Sequence, residues 1–131
     1  MAKQNKEQHA QRNKALSIQL LKEGTYLDWV VTTSFYSSIH FIENNLLPTT
    51  IKGKTCSELF DVKKVYKTDN LHQTREFLCQ EKLTFDTAIK YKWLSDNSKN
   101  ARYTSYKISK SVAEKALKNL ELIEKECKER V

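Results

Sequence analysis

His72 and Arg75 stand three residues apart, close enough to share one face of a helix. An imidazole moves protons near neutral pH. A guanidinium grips phosphate oxygens in pairs and keeps its charge. The two together suit phosphodiester chemistry or plain phosphate binding; a polar contact between helices uses the same groups. Asn70 adds a polar side chain at the mouth of that helix. Tyr36 and His40, four apart, share a second face. His40 is flanked by Ile39, Phe41 and Ile42, a setting for a hydrogen-bonded core histidine or for a supporting catalytic group. Arg102 and Tyr103, with Tyr106 close behind, join a cation to aromatic faces. Such residues bracket a base and its phosphate, or pack down on a core.

The charge is uneven. The chain carries a formal +7, with local excess in three segments. One is the start, with Lys3, Lys6, Arg12 and Lys14. Another holds Lys52, Lys54, Lys63, Lys64 and Lys67 against Glu58 and Asp61. The third holds Lys99, Arg102, Lys107 and Lys110. Local positive excess is the footprint of a phosphate-rich partner, although solvated lysines give the same composition. No glycine-rich phosphate loop, paired-carboxylate motif or nucleophile elbow is present, and no cofactor is expected. Cys56, Cys79 and Cys127 show neither CxxC nor Cys/His pair spacing, so neither a disulfide framework nor a metal site is expected. The start MAKQNKEQHAQRNK has no apolar stretch behind it, and the apolar run 27–47 is broken by Asp28, His40 and Glu43. Neither a secretory signal nor a membrane span is expected, and a reducing cytoplasm follows by elimination.

The elements that must carry these residues are helices. Two glycines and one proline in 131 residues are too few for a turn-rich β domain. The spacing predicts a first helix over 5–23 with Ala15, Leu16, Leu20 and Leu21 on its apolar side, stopped by Gly24. Thr25 and Asp28 match a capping box opening a second helix to about Leu47, before Pro48. Its Val30-Val31-Thr32-Thr33 is strand-like, but the apolar period is helical. Residues 48–67 read as a long, mobile basic loop with at most one helical turn near 55–58, and residues 1–5 as a flexible basic start. A third helix is expected through about Gln80, with Leu71, Phe77 and Leu78 inward. A fourth is expected over 84–95, with Phe85, Ala88, Ile89 and Trp93 inward, broken by Asp96-Asn97-Ser98. Residues 99–109 read as irregular. Ser111 and Glu114 match a capping box for a last helix, with Ala113, Ala116 or Leu117, Leu120, Ile123 and Cys127 on one stripe. The expected fold is a single all-α domain, an up-and-down bundle of four to five helices.

Phe35-Tyr36-Ser37-Ser38-Ile39-His40, Asn70-Leu71-His72-Gln73-Thr74-Arg75, Tyr91-Lys92-Trp93-Leu94-Ser95 and Ala101-Arg102-Tyr103 follow one another in that order. This succession of FYxxxH, HxxR, YxxLS and ARY segments resembles small bacterial HEPN-like proteins, over about residues 25–125. The resemblance implies a helical bundle, commonly a homodimer, in toxin–antitoxin or phage-defence systems. The dimer is also suggested by more apolar surface on the second helix than one neighbour would cover. Many HEPN domains are metal-independent ribonucleases in which Arg and His, usually as Arg-x4-6-His, meet across a dimer cleft and the RNA 2′-hydroxyl attacks the adjacent phosphate. Carried onto this chain, His72 is the proton shuttle and Arg75 the phosphate clamp, with His40, Arg102 and Tyr103 in support. No Arg here is followed by a His at that spacing, and His72 and Arg75 stand in reverse order. That departure favours the other role known in the group, a non-catalytic dimerisation or docking module that partners a larger effector.

Overall fold

The computed structural model describes residues 5–129. The flexible start expected for about residues 1–5 lies outside them, except for Asn5, whose side chain accepts from Gln8 N and caps α1 (Lys6–Glu23). Gly24 closes that helix at φ 75°, its N–H reaching the carbonyls of Leu20 and Leu21. The chain continues through α2 (Leu27–Leu46), a hairpin of β1 (Thr49–Ile51) and β2 (Lys54–Cys56), α3 (Leu59–Tyr66), α4 (Leu71–Lys82), α5 (Phe85–Tyr103) and α6 (Lys110–Glu129). The architecture is an all-α bundle with one small antiparallel ribbon, in the register Thr49↔Cys56 and Ile51↔Lys54.

Helix α2 is the axis of the fold and packs against α1, α4, α5 and α6. Its strand-like stretch is helical because burial outweighs propensity. Val30 and Val31 enter the core, while Thr32 and Thr33 donate back to the carbonyls of Asp28 and Trp29. On the α1 side the seam is made of small residues. Ser37 Oγ donates to the Ala10 carbonyl at 2.7 Å, and Ser34 Oγ to Ser17 Oγ at 3.2 Å. Small residues fill that close approach, and of the leucines expected inward on α1 only Leu20 and Leu21 are partly buried. Ala10 and Ser17 are buried instead, and Leu16 is exposed. Most of the apolar face of α2 is thus covered within the chain, while Trp29 and Tyr36 remain exposed on it.

Several boundaries differ from expectation. Tyr26, at φ 53°, is the N-cap of α2 and makes no side-chain cap; its carbonyl accepts from Trp29 and Val30, so the Thr25–Asp28 box does not form. The expected loop 48–67 is the hairpin plus α3. Lys52 and Gly53 both adopt positive φ, as a two-residue type I′ turn requires, and Glu58 with Asp61 forms a capping box for α3. The expected break at Asp96-Asn97-Ser98 is absent, and α5 continues to Tyr103. Asn97 Nδ2 donates to the Trp93 carbonyl, Lys92 pairs with Asp96, and Ser98 is buried, so each polar group is satisfied along the helix. Helix α6 is capped by Ser109 Oγ, which accepts from Val112 N, ahead of the expected box at Ser111. Its apolar stripe of Ala113, Ala116, Leu120, Ile123 and Cys127 is buried as expected. Leu71, Phe77, Phe85 and Ile89 are exposed rather than inward. The inner faces of α4 and α5 are carried by Thr74, Leu78 and Cys79 and by Ala88, Tyr91, Leu94, Ser95, Ser98 and Ala101. Among the described residues no helix is long and apolar enough to cross a membrane.

Candidate functional site

Because α5 runs unbroken, Tyr91, Ser95, Ser98 and Arg102 fall at i, i+4, i+7 and i+11 and share one stripe. Each meets a residue singled out by the sequence. At the deep end the Arg75 guanidinium lies against the buried Tyr91 hydroxyl, without a hydrogen bond of ordinary geometry between them. Burial pushes the Tyr91 phenol well above its usual range, and the adjoining guanidinium offsets only part of that. Arg75 Nε donates to Glu43 Oε2 at 3.0 Å, with the two side chains only 12% and 13% exposed. Glu43 also receives Lys6 Nζ at 2.8 Å. Burial alone would raise the Glu43 carboxyl, but the Lys6 hydrogen bond and the Arg75 charge hold it below its ordinary value. Arg75 is therefore committed to a carboxylate and is not an open phosphate clamp.

One turn outward, His72 is half exposed. Its Nε2 lies 3.0 Å from Ser95 Oγ and 3.2 Å from Glu76 Oε2. Both contacts fall on one ring nitrogen, so this is not a hydrolase triad, in which the acid sits on the nitrogen opposite the nucleophile. The consequence for the imidazole is different. A carboxylate only accepts, so Glu76 favours the tautomer with its proton on Nε2 and leaves Nδ1 as the basic nitrogen.

At the outer end Arg102 lies 5.8, 5.5 and 5.2 Å from the ring centres of Phe35, Tyr36 and Tyr103. Its Nη1 donates to Ser98 Oγ, while the buried Nε has no acceptor. Among the described residues no carboxylate pairs with Arg102, in contrast to Arg75. Phe35 lies between the two groups, with the His72 ring 6.4 Å away, so His72 and Arg102 are separated by no more than about 12 Å. Tyr103 is 76% exposed and offers an open ring beside the cation.

His40 belongs to the deep network. Its ring meets His9 of α1 edge-on at 4.9 Å. Burial, and next the neighbouring His9, hold its pKa below the ordinary value, against the pull of Glu43. Asn70 is spent on structure: its Oδ1 accepts from Gln73 N and caps α4. Lys52, Lys54, Lys63 and Lys64 stand on the hairpin and α3. Lys52 and Lys64 lie over the rings of Tyr66 and Phe60. The surface where α2, α4 and α5 meet thus gathers Tyr36, His72, Arg102 and Tyr103 around Phe35, with Arg75 beneath. Glu43, Glu76, Ser95 and Ser98 were not anticipated as partners; only Ser98–Arg102 and His72–Glu76, four apart, carried a local signal in the sequence. Among the described residues no group of three His, Cys, Asp or Glu side chains forms a metal cluster. No protein-family model matches this chain, and no curated protein matches its sequence.

Proposed function

We propose that this chain is a HEPN-like protein that engages RNA in the groove between α2, α4 and α5, in a toxin–antitoxin or phage-defence setting. The observation that carries the reading is Arg102: a guanidinium caged by three aromatic rings, paired with no carboxylate among the described residues and with Tyr103 open to solvent. A cation beside an open ring is suited to a nucleotide, the phosphate on the guanidinium and the base on the phenol. With Arg75 held by Glu43, the phosphate-clamp role moves to Arg102. His72 supplies the base through Nδ1 if the RNA is cleaved.

Fluorescence anisotropy with a labelled RNA oligonucleotide tests the binding. Arg102→Gln is expected to weaken affinity by roughly ten- to a hundredfold, the worth of one charge-assisted hydrogen bond. The dependence of affinity on salt should become shallower by about 0.7 for each phosphate that the variant no longer neutralises. Unchanged affinity in Arg102→Gln would remove the groove from consideration.

The docking-module reading is favoured by one feature, the burial of Arg75 in an ion pair. It would be the better account if the wild type bound no RNA. We also propose a homodimer, on the strength of the HEPN resemblance and of Phe85 and Ile89, four apart on α5 and exposed at 81% and 50%. Light scattering at micromolar concentration should then give twice the 15.4 kDa chain mass. Phe85→Glu should return that mass to the monomer value.

A further inference from the structure

The hairpin and α3 concentrate lysine and exposed aromatic side chains outside the groove. Lys52, Lys54, Lys63, Lys64 and Lys67 form no ion pair among the described residues, although lysines elsewhere on the chain do. The acids of this corner make other contacts, Glu58 as the N-cap of α3 among them. Asp61 Oδ2 accepts from the backbone N–H groups of Ser57 and Glu58, and Glu81 accepts from the Tyr66 hydroxyl. The acids keep their charge in these contacts, but the five lysines outnumber Glu58, Asp61 and Glu81, so the corner is net positive.

Two aromatic surfaces lie among these cations. Phe60 is 53% exposed with Lys64 Nζ 4.8 Å from its ring centre. Tyr66 and Phe77 stack 5.5 Å apart with Lys52 Nζ 5.2 Å from the Tyr66 ring. Between hairpin and helix is a shallow hollow of about 190 Å³ lined by Lys54, Thr55, Cys56, Asp61, Lys64 and Val65. Two of its lining residues are lysines, and Oδ2 of its Asp61 accepts from backbone N–H groups.

We infer that the hairpin and α3 form a second RNA surface, specific for single strands, in which Lys54 and Lys64 hold a phosphate and Phe60 stacks an unpaired base. The inference rests on RNA being the ligand of the groove and adds which form of RNA is taken. A duplex keeps its bases stacked on one another and presents only phosphates and sugars to such a corner. A single strand offers both the phosphate and a free base face, the two groups that a lysine beside an exposed phenylalanine can use together. The left-handed turn at Lys52-Gly53 fixes the hairpin, and the capping box fixes α3, so the lysines are displayed on ordered backbone.

The test compares a labelled single-stranded RNA with the blunt duplex of the same sequence, at several salt concentrations. It uses the full chain, Lys54→Gln/Lys64→Gln, Phe60→Ala and Arg102→Gln. The side chains replaced at 54, 60 and 64 are on the surface, and circular dichroism is used to check that each variant keeps its helix. The lysine pair variant is expected to lose about tenfold in single-strand affinity and to lower the salt slope by about 1 to 2. Phe60→Ala is expected to lose roughly tenfold on the single strand and nothing on the duplex. Wild-type affinity in both corner variants, or equal losses on single strand and duplex in Phe60→Ala, would overturn the inference. If Arg102→Gln alone weakens binding, the groove stands and the corner falls. If the corner variants weaken binding and Arg102→Gln does not, the groove reading falls and the corner is the RNA site.

Discussion

In a ribonuclease assay, His72→Ala is expected to slow RNA cleavage by about 10²- to 10⁴-fold with the fold intact, the usual worth of a positioned proton-transfer group. On the proposed reading, the 2′-hydroxyl proton would pass to His72 Nδ1 as the 2′ oxygen forms its bond to phosphorus. The bond from phosphorus to the 5′ oxygen would break, and the same imidazole would return a proton to the departing oxygen. Arg102 would balance the charge gathering on the phosphate, and Arg102→Gln should cost about 10²- to 10³-fold. None of these steps calls on a metal ion, so cleavage should persist in chelator. Glu76→Gln separates roles. It removes the carboxylate that biases the proton to Nε2 and should lower the cleavage rate while leaving RNA affinity unchanged. The measurement is single-turnover cleavage of single-stranded RNA and of tRNA beside all three variants. Full activity in His72→Ala would assign the chemistry elsewhere. No cleavage by the wild type, with binding intact, would leave the groove as a recognition site for a docking module.

The largest effect on stability is expected from Glu43→Gln. This leaves the buried Arg75 guanidinium with no carboxylate, and stranding one partner of a buried pair costs about 3 to 5 kcal/mol. For a chain of this size that lowers the melting temperature on the order of 10 °C. The folded Glu43 carboxyl titrates below its ordinary value near 4.5, so its stabilisation is fully present above that pH. It is lost as the pH falls through the lower, folded value. Thermal melts at neutral pH and below pH 4.5 should therefore show the wild type converging on the variant in acid. A constant gap between the two at every pH would mean that Glu43 acts through packing and not through charge.

How much of this was legible in the chain depended on the range of the signal. The α6 stripe was readable because Ala113, Ala116, Leu120, Ile123 and Cys127 repeat at helical spacing over a whole helix. The hairpin was not, because its signature is two residues, Lys52 and Gly53, and the strands have only three each. Asp96-Asn97-Ser98 read as a stop because these residues favour turns in isolation, whereas here their side chains bond along the helix or into the core. The site divides in the same way. Residue types in the four segments singled out Tyr36, His72, Arg102 and Tyr103, whose side chains lie around Phe35 and one another. What decides the role of Arg75 is Glu43, 32 positions earlier, and no local pattern encodes that partner.

The continuity of α5 places a constraint on the chain's length that a loop would not. A loop between Ser95 and Arg102 absorbs an extra residue by bulging. A helix turns about 100° for each residue, so one insertion there swings Arg102 away from Phe35 and Tyr36 while Tyr91 and Ser95 stay in place. Substitutions on the exposed side of this segment, at Lys99 or Asn100, leave that alignment untouched. The spacing from Tyr91 to Arg102 is therefore the quantity to hold fixed when this chain is varied, ahead of the identity of the residues between.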